Sequence, residues 1–156
     1  MTRREWITRS TWAFAPCALV ASVTPVSSIV LDMVHREEHI QWPDADRPVS
    51  TGSLVKPFLT LAYARTHAQF PIVYCRGAAD GCWLPRGHGR QSIVPALAHS
   101  CNVYFLSLAR ALDRSALDAV CLSFGLLPAN SDLTPEEMIG LGRGWPQPPA
   151  TLAKAF

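Results

Sequence analysis

Apolar and polar positions change pattern along this chain, from a short apolar run near the start to helical spacing afterwards. Ser28-Ile29-Val30-Leu31-Asp32-Met33-Val34 is a short β-branched run, which predicts a strand. His39-Ile40-Gln41-Trp42 follows a polar stretch and predicts its hairpin partner, although no Asn-Gly or Asp-Gly turn marks the reversal. Pro43 to Thr51 is a proline-containing loop leading to a helix with Leu54, Phe58, Leu61 and Ala62 along one stripe. Pro57 falls in its first turn, where a missing N–H is tolerated. Phe70 to Arg90 is a glycine-rich, cysteine-bearing excursion. Helices are then expected over Ser92 to His99 and over Asn102 to Leu112, the second with Val103, Leu106 and Ala109 on one stripe. Asp113-Arg114-Ser115 caps a further helix carrying Leu117, Val120, Cys121 and Phe124, stopped by Gly125. Thr134-Pro135-Glu136-Glu137 is a helix start by residue type. The glycine-rich Gly140 to Gly144 precedes a last helix, Pro149 to Phe156. Two strands do not make a stable sheet alone, so either helices cover the pair or residues beyond this chain complete the sheet.

At 156 residues the chain is at most one ordinary domain, long enough for a real core. Apolar content of 49% and charge of 17% exclude a disordered chain. A formal net charge of +2, with no basic stripe, argues against a nucleic-acid partner. Arg3, Arg4 and Arg9, then the apolar run Thr11 to Val23 and small residues through Ser28, predict an export signal over residues 1–27. The run is short for a bilayer span and Pro16 interrupts it; a ragged N-terminal helix is the alternative. Phe14-Ala15-Pro16 before Cys17 is a poor lipidation box. In an exported protein Cys75 and Cys82 are the natural disulfide pair, closing a loop through Gly77, Asp80 and Gly81. Cys101 and Cys121 lie in apolar helical surroundings and read as buried thiols. Cys75, Cys82 and His88 match no common zinc spacing, so no metal is expected.

Ser53-Leu54-Val55-Lys56 carries the candidate chemistry. A serine and a lysine three apart at a helix start share one face, one turn apart, so an amine can take the proton from a hydroxyl. Lys56 and Lys154 are the chain's two lysines, so the pairing is not drawn from a large pool. Ser100-Cys101-Asn102 follows as a second cluster of hydroxyl and carboxamide. A helix cap with a surface lysine would account for the first cluster, and a helix boundary for the second. His88 between two glycines fits a turn, Trp83 fits either a groove edge or packing under its loop, and Lys154 fits a surface charge.

Ser53 to Lys56 followed by Pro57-Phe58, then Ser100-Cys101-Asn102-Val103-Tyr104-Phe105, resembles the transpeptidase domain of penicillin-binding proteins. Cys75-Arg76-Gly77, Cys82-Trp83 and Gly87-His88-Gly89 are similar to a loop of its class B, PBP2-like members. Gly140-Leu141-Gly142-Arg143-Gly144, Pro149 and Leu152-Ala153-Lys154-Ala155-Phe156 resemble the approach to the family's third motif. The resemblance runs in order over about residues 28–156 and implies an α+β fold, β-lactamase/transpeptidase-like: N-terminal strands of an antiparallel sheet, an incomplete sheet, and a helical subdomain. It implies Ser53 as nucleophile, Lys56 as general base, Ser100 as proton relay and Asn102 as substrate-binding residue, with no cofactor. The substrate would be a peptidoglycan stem peptide or a β-lactam, acted on in the periplasm or on the outer face of the cytoplasmic membrane. Three departures stand out. Thr51 occupies the family's proline position, the hairpin after Asp32 lacks its glycine, and no Lys-Thr/Ser-Gly motif is present. Residues 28–156 therefore resemble the front portion of a domain, expected to be weakly active or inactive as this chain. The alternatives are a non-catalytic cell-envelope interaction protein and a serine β-lactamase-like hydrolase.

Overall fold

A computed structural model describes residues 26–128, 132–142 and 145–156. The expected export signal lies almost wholly outside them.

Strands β1 (Ile29–Asp32) and β2 (Glu37–Ile40) form an antiparallel hairpin in register Ile29↔Ile40 to Asp32↔Glu37. Asp32 makes the reversal that the sequence lacks an Asn-Gly to make. Its carboxylate accepts from the Val34 and His35 backbone N–H groups, both at 2.9 Å, and Arg36 takes the left-handed backbone at φ 58°. A 3-10 turn, Gly52–Val55, runs directly into α1 (Lys56–Thr66). Strands β3 (Val73–Cys75) and β4 (Gly89–Gln91) pair antiparallel around a loop containing a second 3-10 turn, Gly77–Asp80. Helices α2 (Ile93–Ala98), α3 (Asn102–Ala111), α4 (Arg114–Ser123), α5 (Pro135–Met138) and α6 (Pro149–Ala155) complete the described chain. The class is α+β with two small antiparallel sheets, as expected, and α6 lies against β1.

Caps follow the residue types. Asp113 accepts from the Ser115 N–H, and Thr134 forms a reciprocal capping box with Glu137. The stripe expected for α1 holds at Phe58 and Ala62 and fails at its other two positions. Leu54 and Leu61 are exposed, whereas Val55, Phe58, Leu59, Ala62 and Tyr63 are buried. Both sets obey helical spacing, so the periodicity alone left the phase open. The observed phase lets α1 pack on α3 and α4, where Tyr104, Phe105, Leu108, Leu117 and Val120 are fully enclosed. Phe58 meets Phe124 and Phe156 edge-on, at ring distances of 5.3 and 5.2 Å, tying α1 to both later segments. This core fixes the N-terminal end of α1 beside the α2–α3 corner.

Candidate active site

Ser53 is exposed while Lys56, on the next turn, is 2% exposed. Gly52 at φ 53° supplies the bend ahead of the Ser53–Lys56 turn, a conformation that a side chain would strain. Buried Val55 anchors the turn, which turns Lys56 inward.

The Lys56 amine meets four oxygens: Ser53 Oγ at 3.1 Å, Ser100 O at 3.0 Å, Ser100 Oγ at 2.8 Å and Asn102 Oδ1 at 2.8 Å. The Phe105 ring centroid lies 5.4 Å away on the buried side. Burial lowers the Lys56 pKa from 10.5 to about 8, and the neighbouring Cys101 and Cys82 oppose that fall. The geometry sorts the acceptors. Ser100 O and Asn102 Oδ1 are carbonyl oxygens and can only accept. A neutral amine has two N–H groups, so giving both to the carbonyls leaves its lone pair toward the hydroxyls of Ser53 and Ser100.

Ser100 reaches this place through an unusual backbone. It sits at φ 50° in the corner between α2 and α3, with its N–H donating to Leu97 O at 3.1 Å and the Cys101 N–H to Ala96 O at 3.0 Å. Ser100 and Asn102 do lie at a helix boundary, the corner and the first residue of α3, but neither side chain caps it. Cys101, not Ser100 or Asn102, is the N-cap of α3, and no side chain caps that end. Trp83 is 60% exposed beside the corner and donates from Nε1 to His99 O and Ser100 O, both at 3.3 Å. It borders the site and is not packed beneath its loop. Lys154 pairs with Glu38 at 2.9 Å on the surface.

The structure leaves Cys75 and Cys82 as free thiols, not the expected disulfide. Pairing of β3 with β4 sets Cys75 opposite Gly89, next to His88, and Cys82 comes from the loop between the strands; His88 Nδ1 lies 3.6 Å from Cys75 Sγ and 3.4 Å from Cys82 Sγ. Cys101 completes the group, and all four candidate donor atoms lie within 4.8 Å of one another. Three thiols and one imidazole are the donor set of a tetrahedral zinc site, so these residues could hold such an ion. Burial, then the nearby His99 and Lys56, lowers the His88 pKa and favours the neutral imidazole a metal needs. Sequence spacing missed the fourth member because Cys101 comes from the α2–α3 corner, outside the loop that carries the other three. Cys121 stays a buried thiol with its pKa pushed up to about 12 by burial.

No family model matches this sequence, and none of the curated proteins does. Among solved structures, the chain is similar to a crystal structure of Pseudomonas aeruginosa PBP2 in complex with WCK 5153, with a TM-score of 0.60 and 24% identity. The match covers 73% of this chain and 33% of that one, so this chain spans about a third of the PBP2 it matches. The likeness carries the fold: a partial penicillin-binding-protein-like α+β architecture.

Proposed function

We propose that this chain carries the nucleophile side of a serine acyl-transfer site of the penicillin-binding D,D-transpeptidase type. The observation that carries the proposal is the buried amine of Lys56 within hydrogen-bond distance of the Ser53 hydroxyl, the Ser100 hydroxyl and the Asn102 carboxamide. In the proposed cycle the neutral Lys56 amine takes the Ser53 proton as Oγ attacks the carbonyl of a D-alanyl-D-alanine peptide or of a β-lactam. The Ser53 backbone N–H donates to the developing oxyanion. Ser100 Oγ, 2.8 Å from the amine, passes a proton to the leaving nitrogen and is reprotonated by Lys56. Asn102 fixes the amine and offers its N–H₂ to the substrate backbone. The acyl group then rests on Ser53 as an ester until an acceptor amine or water takes it. Such a substrate places the site on the outer side of the cytoplasmic membrane, in keeping with the export signal expected over residues 1–27.

A fluorescent penicillin incubated with the whole chain tests this. Slow covalent label is expected on wild type, which carries no Lys-Thr/Ser-Gly motif, and none on Ser53→Ala, with the label on Ser53 by peptide mapping. Label that survives Ser53→Ala, or none on the folded wild-type chain, would overturn the proposal. Rapid release of hydrolysed drug would point instead to a hydrolase on the same residues.

A further inference from the structure

We infer that Thr51 is a positioning residue for Ser53: its hydroxyl locks the nucleophile turn onto a strap, Trp145 to Gln147, that is bolted to the loop after α4. The inference rests on the proposed role of Ser53.

Thr51 is buried, and its Oγ1–H donates to Trp145 O at 2.9 Å. Two residues earlier, Val49 and Gln147 exchange a pair of backbone hydrogen bonds, each 3.0 Å, as an isolated antiparallel bridge. The strap is anchored in turn. The fully buried Gln147 side chain accepts from the Leu127 N–H at 2.8 Å and donates to Leu127 O at 3.0 Å. The buried Trp145 indole N–H donates to the same carbonyl at 3.0 Å. A third grip comes from Gly140, whose Cα lies so close to Gly52 that a methyl group there would overlap the Gly52 carbonyl. Positions 49, 51 and 52 are thus each held from outside the turn, immediately ahead of Ser53.

Ser53 itself has no such hold. Its side chain is exposed, and its hydrogen bond to Lys56 is the longest of the four at the amine. Lys56 Nζ is pinned by the three oxygens of Ser100 and Asn102. The distance between nucleophile and base is therefore set by where the backbone turn places Ser53, and Thr51 is the tether nearest to it with a side chain. Misplacement of a reacting group by about an ångström can cost on the order of a hundredfold in rate.

The test compares Thr51→Val, which keeps the shape and loses the hydrogen bond, with Thr51→Ser, which keeps the hydroxyl. Acylation by a fluorescent penicillin is followed over a range of drug concentrations, separating apparent binding constant from limiting rate constant. Thr51→Val is expected to lower the limiting rate constant by about 10- to 100-fold with the binding constant within about twofold, and Thr51→Ser to restore it. In the same proteins without drug, amide hydrogen exchange is read at Leu54, whose N–H donates to Thr51 O, and at Lys56, whose N–H donates to Ser53 O. Both are expected to exchange at least about tenfold faster in Thr51→Val, with α3 and α4 unchanged. Wild-type acylation and exchange in Thr51→Val would overturn the inference. Faster exchange throughout the chain, unrescued by serine, would also overturn it, because it marks a general loss of stability. Should wild type fail to acylate, the functional proposal falls, and local exchange alone decides whether Thr51 holds the turn.

Discussion

Replacing Lys56 by methionine removes the ionisable amine and keeps an unbranched side chain in the same enclosed space. The quantity to follow is the pH dependence of stability. Lys56 ionises near 10.5 when unfolded and at about 8 in the fold, because burial disfavours its charged form. Between those values the unfolded chain binds the extra proton and the native chain does not. Stability must then rise with pH across that window. Each tenfold change in proton affinity is worth about 1.4 kcal/mol, so the full difference is on the order of 3 kcal/mol, of which about 2 kcal/mol develops between pH 7 and 9.5. Other groups titrate in the same range. Burial pushes the Cys101 and Cys121 thiols up to about 12, so their unfolded forms lose protons first and stability falls with rising pH. Subtracting the Lys56→Met curve removes these shared contributions. Urea unfolding followed by tryptophan fluorescence, at half-unit steps from pH 7 to 9.5, measures both proteins. Wild type is expected to gain about 2 kcal/mol relative to Lys56→Met over the series. Parallel curves would refute the lowered pKa, and with it the supply of neutral amine on which the proposed chemistry depends.

Two further outcomes are expected. Free zinc at a hundredfold excess over its dissociation constant should stabilise the reduced protein by about 2.7 kcal/mol, read as a raised melting temperature; Cys101→Ser should abolish most of that gain, and an unmoved wild-type melt would count against metal binding at Cys75, Cys82, His88 and Cys101. Gly140→Ala combines a backbone at φ 87° with overlap on the Gly52 carbonyl, so it should cost at least about 2 kcal/mol; Gly125→Ala at φ 69°, where a methyl meets nothing within 4 Å, should cost about 1 kcal/mol, and equal losses would remove the role given to the close approach.

Much of this was legible in the sequence where the signal is local. The Ser53–Lys56 spacing is a helical geometry, so their meeting at 3.1 Å follows from the turn itself. Helices α2, α3 and α4 begin and end within about a residue of their capping and apolar signals, and Thr134 caps α5 as its residue type implied. The meeting of Ser100 and Asn102 with Lys56 followed only from the resemblance, because no local periodicity encodes a contact across 44 residues. Strands β3 and β4 escaped notice because three residues are too few to show alternation, and Tyr74, the middle residue of β3, is exposed. Cys75 and Cys82 read as a disulfide because an exported chain and a short loop between them favour one. The glycine-rich loop gave no sign that it folds back on the α2–α3 corner, where Cys101 waits. The strap at Trp145 to Gln147 was equally silent, since Gln147 looks like loop polarity until its amide is found enclosed against Leu127.

The left-handed backbone at Ser100 sets two demands on one codon. Glycine would relax the torsion and delete the hydroxyl, while threonine would keep an alcohol and worsen the crowding through its β-branch. Durability and chemistry are thus in direct opposition at that position. A search for hardier variants would drift toward glycine there and silence the proposed relay, so thermostability screens on this protein need an activity gate at residue 100.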